Sequence, residues 1–139
     1  MLQRASGKTF PCAALAFLLA LAACGKQAGE SRLENAASGD AIAGKKVFNT
    51  CANCHQVGPS ARGGFGPQLN GIIGRPAGST SDYRYSAAMK DAGFVWTEDK
   101  LRAFLRDPDT VVPGNRMRFF GIRSERDMKD LLAYLRSVS

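Results

Sequence analysis

The chain has 139 residues, 45% of them hydrophobic and 22% charged, which suffices for one modest core and excludes a second domain of ordinary size. Nineteen basic residues against 12 acidic ones give a formal net charge of +7. The basic residues are interleaved with acids instead of forming a stripe, which argues against nucleic-acid binding and for an acidic partner or an anionic membrane surface.

Arg4 and Lys8 precede an uncharged apolar run from Phe10 to Ala23. A bilayer crossing takes roughly 20 apolar residues, so the run is read as an export signal and not as a membrane span. It ends in Leu21-Ala22-Ala23-Cys24, which resembles the lipobox of bacterial lipoproteins. Cleavage of residues 1–23 would leave Cys24 as an acylated N-terminus; the competing reading is an ordinary signal that happens to hold a cysteine. The remainder, with 17 basic and 12 acidic residues, keeps a charge of +5. Residues 24–39 are rich in Gly, Ala, Ser, Asn and Gln around an isolated Leu33, a composition suited to a flexible tether with a reach of roughly 20 Å. The folded domain is expected over 40–139, with the protein held on the periplasmic side of a bacterial membrane.

Within that domain, Asp40 to Thr50 reads as a short helix with Ala43, Val47 and Phe48 on its apolar side. Gln56 to Ser79 is crowded with Gly and Pro and reads as loop. Ser86 to Ala92 is a short helix stopped by Gly93. Thr97, followed by Glu98 and Asp99, opens a helix through Leu101, Phe104 and Leu105 that stops before Pro108. Asp107 to Gly121 reads as a second loop. Ser124 is the expected N-cap of the last helix, with Asp127 completing an acidic variant of the capping box. Met128, Leu131, Leu132, Leu135 and Val138 then recur at three- and four-residue spacing. The expectation is an all-α domain of about four to five short helices, whose long loops pack on an internal cofactor.

Cys51-Ala52-Asn53-Cys54-His55 is the C-x-x-C-H pattern of covalent haem attachment. Two thiols at this spacing suit two vinyl groups on one porphyrin edge, and the adjoining imidazole then reaches the iron. Zinc would want further ligands, yet no Cys or His follows the motif. A dithiol redox pair would call for an α/β pattern, which is missing here, and a structural disulfide leaves His55 unexplained. His55 is the only histidine, so a second axial ligand has to be another residue type, normally a methionine thioether. Met128 falls on the apolar stripe of the last helix, and Met89 sits among alanines in a short helix, where gap-filling explains it. Met117, in the irregular loop after Pro113-Gly114-Asn115-Arg116, is the expected ligand.

With these features assembled, residues 39–139 resemble the class I cytochromes c of the mitochondrial and bacterial cytochrome c2 type. The blocks that carry the resemblance are Gly44-Lys45-Lys46-Val47-Phe48, the cysteine motif, Gly66-Pro67-Gln68-Leu69-Asn70-Gly71, Gly74-Arg75, Tyr83-Arg84-Tyr85, Trp96, Pro113 to Met117 and Asp130 to Leu135. The resemblance implies one covalent haem c and a one-electron carrier, not an enzyme. It implies a monomer that works between a quinol-cytochrome c reductase and a terminal oxidase or photosynthetic reaction centre. It further implies that the Pro67 carbonyl accepts the Nδ1 proton of His55 and that Arg75, Tyr85 and Trp96 hold a buried haem propionate. Gly44, Phe48 and Tyr134 would form the crossing of the first and last helices.

Departures from the family pattern accompany the matches. Phe104 stands where a tyrosine usually bonds the methionine ligand, Met89 where an asparagine is common, and Asn115 where a threonine sits beside the propionate. Thr50, Asp109 and Thr110 replace docking lysines, while Arg116, Arg118 and Arg123 keep part of a positive rim. Loss of Met117 from the iron would instead give a peroxidase-like or gas-sensing haem protein.

Overall fold

The computed structural model describes residues 38–138. The signal segment 1–23, the acylation site Cys24 and the tether up to residue 37 lie outside the described residues. Among the described residues five helices follow one another: α1 (Ala41–Phe48), α2 (Ala87–Lys90), α3 (Glu98–Arg106), α4 (Pro108–Val111) and α5 (Glu125–Ser137). Among the described residues the only β-pairing is an isolated antiparallel bridge between Pro76 and Val95, and no helix is long and apolar enough to cross a membrane. The all-α expectation holds.

Each helix starts where a short polar side chain can satisfy free backbone N–H groups. The Asp40 carboxylate accepts from Ile42 N at 2.7 Å and Ala43 N at 3.2 Å. Ser86, Thr97 and Ser124 cap α2, α3 and α5 in the same way. The Ser124 hydroxyl accepts the Asp127 N–H at 3.2 Å, the forward bond of the expected capping box. Helix α2 is shorter than the sequence suggests, and α4 lies inside the segment expected to be loop. That correction has a simple cause: Pro108 stops α3 and also opens α4, because proline suits the first helical position and Asp107 caps it through Thr110 N.

The two longest-separated helices make the main scaffold contact. A Cβ added to Gly44 would stand 2.9 Å from Tyr134 Cβ and overlap the Asp130 carbonyl, so the backbones of α1 and α5 approach as only glycine permits. Phe48 and Tyr134 then meet with ring centroids 5.4 Å apart, a contact worth about 0.5–1.5 kcal/mol beyond area burial. The Asp130 carboxylate, itself buried, accepts the Asp40 N–H at 2.7 Å. Ser38 and Gly39 also touch α5: Arg136 donates to the Ser38 carbonyl at 2.6 Å, and Gly39 packs on the Lys129 carbonyl.

Met128, Leu131 and Leu132 of α5 are the largest fully buried side chains, and Leu101, Phe104 and Leu105 of α3 join them in one core. The long loop between α1 and α2 is fixed by backbone bonds to the approach of α3. Gly74 N–H donates to Trp96 O at 2.8 Å, Trp96 N–H to Arg75 O at 2.9 Å, and Ala77 N–H to Phe94 O at 2.9 Å. These bonds place Arg75 and Trp96 side by side.

Candidate functional site

The core opens into a cavity of about 330 Å³, within the roughly 300–1,000 Å³ of small-molecule and cofactor sites. All eight residues expected at the site line it: Cys51, Cys54, His55, Pro67, Arg75, Tyr85, Trp96 and Met117. Much of the remaining wall is apolar, with Phe48, Leu69, Ile72, Leu101, Phe104 and Leu131 contributing.

The cysteine motif continues α1 in successive turns. Cys51 N–H donates to Phe48 O at 2.8 Å, Cys54 N–H to Cys51 O at 3.0 Å and His55 N–H to Cys51 O at 2.9 Å. Both cysteines are free thiols, so the motif is not a structural disulfide in this fold. Burial pushes the Cys51 thiol up, the Thr50 hydroxyl at 3.7 Å partly opposes this, and the neighbouring Cys54 adds a smaller rise. Among the described residues no group of three or more His, Cys, Asp or Glu is gathered as metal ligands.

His55 is oriented by its partner. Its Nδ1 lies 2.8 Å from the Pro67 carbonyl oxygen, so Nδ1 carries the proton and Nε2 keeps its lone pair. Burial lowers the imidazole pKa, and the bond to Pro67 only partly opposes that. The ring is therefore neutral, the form that ligates metal. Gly66 leaves it room: a Cβ there would sit 2.7 Å from Nδ1 and 2.9 Å from Nε2.

On another part of the wall the Arg75 guanidinium donates to Gln68 O at 2.8 Å and Asn70 O at 3.0 Å. Burial lowers its pKa, with Tyr85 and Asp82 opposing. The Tyr85 hydroxyl pairs with Thr80 Oγ1 at 2.9 Å. Trp96 is 5% exposed and packs edge-on against both Phe94 and Phe104. The two axial candidates set aside in favour of Met117 divide. Met128 is fully buried in the core and does not line the cavity, whereas Met89 does.

Two residues are missing from the sequence reading. Phe65 is 90% exposed and Phe120 98% exposed, although both are held by fixed backbone. Phe65 lies in a segment tied by Gly63 N–H to Asp82 at 2.7 Å and by the Tyr83 hydroxyl to the Phe65 carbonyl at 3.1 Å. Phe120 precedes Gly121, which packs on the Arg106 carbonyl. Both phenylalanines fall in segments read as loop, where no helical or strand period assigns a side chain to the core or to the surface.

A helical shell around an apolar cavity, with two free thiols and a neutral, oriented imidazole on one wall, suits a flat apolar cofactor held by thioether bonds. That defines a covalent haem protein. Residues 41–139 match the family model described as cytochrome c, and the chain belongs to the cytochrome c family, in its class I form. It is 43% identical over 104 residues to cytochrome c2 of Blastochloris viridis, covering 75% of this chain and 82% of that one. With cytochrome c2 of Agrobacterium tumefaciens the identity is 48% over 100 residues, 70% of this chain and 90% of the relative. Among solved structures, cytochrome cH from Methylobacterium extorquens superposes with a TM-score of 0.67 at 39% identity, covering 71% of this chain and 99% of that one. Cytochrome c2 from Rhodospirillum centenum gives 0.68 at 34% identity, covering 73% and 99%. The chain is thus an electron-carrying c-type cytochrome with one covalent haem. The competing expectation of a peroxidase-like or gas-sensing protein finds no support in these relatives.

Proposed function

We propose that the protein carries single electrons between redox complexes at a bacterial membrane, with Cys51 and Cys54 bonding the haem and His55 and Met117 as its axial ligands. When bound, the haem supplies a one-electron couple between ferric and ferrous iron. The observation that carries this reading is the 2.8 Å contact between His55 Nδ1 and the Pro67 carbonyl, which presents Nε2 as a ligand. Arg75, Tyr85 and Trp96 would hold a propionate, since a carboxylate taken from water needs charge and hydrogen bonds to offset its desolvation. With His55 and Met117 both bound to the iron, no coordination place would be left for a substrate, and the protein would work as a carrier and not as an enzyme. The test is a redox titration joined to ligand binding. A reversible one-electron couple with no carbon monoxide uptake by the reduced protein at neutral pH supports the reading; ready uptake sinks it.

The partners are a quinol-cytochrome c reductase on one side and a terminal oxidase or photosynthetic reaction centre on the other. Arg116 and Arg118 are exposed beside the cavity, and Phe65 and Phe120 add apolar contact to that charge. Aromatic residues and arginine are the types most enriched at interfaces. The protein acts as a monomer in the periplasm, tethered through acylated Cys24. Cell fractionation tests the anchor: wild type should travel with membranes, and Cys24→Ser should be blocked in maturation or released as a soluble form. A wholly soluble wild type removes the tether.

A further inference from the structure

Met117 stands in a loop, and a loop aims a thioether only if its own backbone is fixed. The fixing element is Asn115. Its Oδ1 accepts the Met117 N–H at 2.8 Å. Its Nδ2 group spends both protons, on the Asp109 carboxylate at 2.9 Å and on the Val112 carbonyl at 3.0 Å. The turn beneath is closed by the Asn115 N–H, which donates to the same Val112 carbonyl at 3.0 Å. Every polar atom of the carboxamide is thereby engaged, and its orientation is over-determined: turned over, the amide would set two donors against the Met117 N–H and its oxygen against two acceptors.

The second anchor lies outside the loop. Asp109 belongs to α4, which Asp107 caps through Thr110 N at 3.2 Å and the Thr110 hydroxyl at 2.7 Å. A chain of polar contacts therefore runs from the cap of α4 through Asp109 and Asn115 to the backbone of Met117. The five consecutive residues Asn115 to Phe119 all border the cavity, so a shift of this loop is a shift of the cavity wall. Phe104, facing the same cavity, has no hydroxyl with which to hold a methionine sulfur from the other side.

We propose that Asn115, its carboxamide set by Asp109, is the positioning residue that keeps the Met117 thioether on the iron and the sixth coordination place closed to small ligands. The inference rests on the axial role given to Met117 above. It makes Asp109, an exposed acid at a place where related proteins carry docking lysines, part of the ligand's support and not of the docking surface.

The test is imidazole binding to the ferric holoprotein, followed through loss of the far-red sulfur–iron absorption band, in wild type, Asn115→Ala, Asp109→Ala and Asp109→Asn. Removing the carboxamide breaks three hydrogen bonds, so Asn115→Ala should bind imidazole about tenfold tighter or more. Asp109→Ala, which leaves the loop's own bonds in place, should give roughly a threefold gain. Asp109→Asn retains an acceptor oxygen and should stay near wild type. The surface variants at Asp109 keep the inference testable should Asn115→Ala fail to mature. A lowered melting temperature with unchanged imidazole affinity in both alanine variants overturns the inference, since a merely structural role moves only the first. A wild-type spectrum without the sulfur–iron band overturns the ligation and this inference together.

Discussion

The Nδ1 of His55 and the carbonyl oxygen of Pro67, twelve positions apart in the chain, lie 2.8 Å from each other. The bond uses a backbone oxygen, so what secures it is the path of the chain and not the proline side chain. Gly66 belongs to that path, because nothing larger fits against the imidazole. Gly66→Ala is expected to tilt the ring off Pro67 and to cost about 1–3 kcal/mol, the usual range for overpacking a close contact. Thermal melting of the holoprotein checks this. A variant as stable as wild type with an unchanged potential would contradict it.

The α1–α5 crossing makes a second overpacking prediction, remote from the cavity's imidazole. A methyl at Gly44 has to displace the Asp130 carbonyl or Tyr134. Gly44→Ala should lose about 1–3 kcal/mol. At about 4–8 °C per kcal/mol for a domain of this size, the melting temperature falls by roughly 5–20 °C. A drop under about 2 °C would mean the helices part without cost.

Phe104 is 5% exposed and faces the cavity that Met117 lines. Phe104→Tyr would bring a hydroxyl to the thioether. A hydrogen bond there withdraws electron density from sulfur and favours ferrous iron, so the reduction potential should rise. A net bond of about 0.5–1 kcal/mol corresponds to roughly 20–45 mV. Potentiometry decides the sign, and an unchanged or lower potential means that a hydroxyl at Phe104 does not reach the Met117 sulfur.

Acid stability has one identifiable contributor on α4. The hydroxyl and amide of Thr110 hold the Asp107 carboxyl below its usual range, more strongly than desolvation raises it. A depressed folded pKa gives stability that is present above the unfolded value, near 3.9, and is lost as pH falls through the folded one. Asp107→Asn keeps a capping oxygen but cannot titrate. Its melting temperature should lie below wild type at pH 6 and converge with it toward pH 2. A gap that stays constant with pH would contradict the assignment.

The helices were legible because their causes are local. Asp40, Thr97 and Ser124 cap through atoms two or three residues away, and the α5 stripe needs only its own period. Helix α4 was missed because Pro108 was read as a stop, although the same residue serves as a start. The cysteine motif is contiguous and needed no fold to be seen. The Pro67 and Arg75 contacts depend on how a long loop returns, and residue patterns alone carried no trace of them; only the family resemblance pointed there. Asn115 was noted as a departure, but its three partners lie on two elements, and the sequence does not show that all its polar atoms are used. Exposure of Phe65 and Phe120 is likewise a property of the folded surface.

The central claim is that Met117, and not Met89, faces His55 across the iron; both line the cavity. The direct measurement is the far-red sulfur–iron absorption band of the ferric holoprotein in Met117→Ala and in Met89→Leu. The band should vanish in Met117→Ala and persist in Met89→Leu. Its survival in Met117→Ala, or its loss in Met89→Leu alone, would contradict the account.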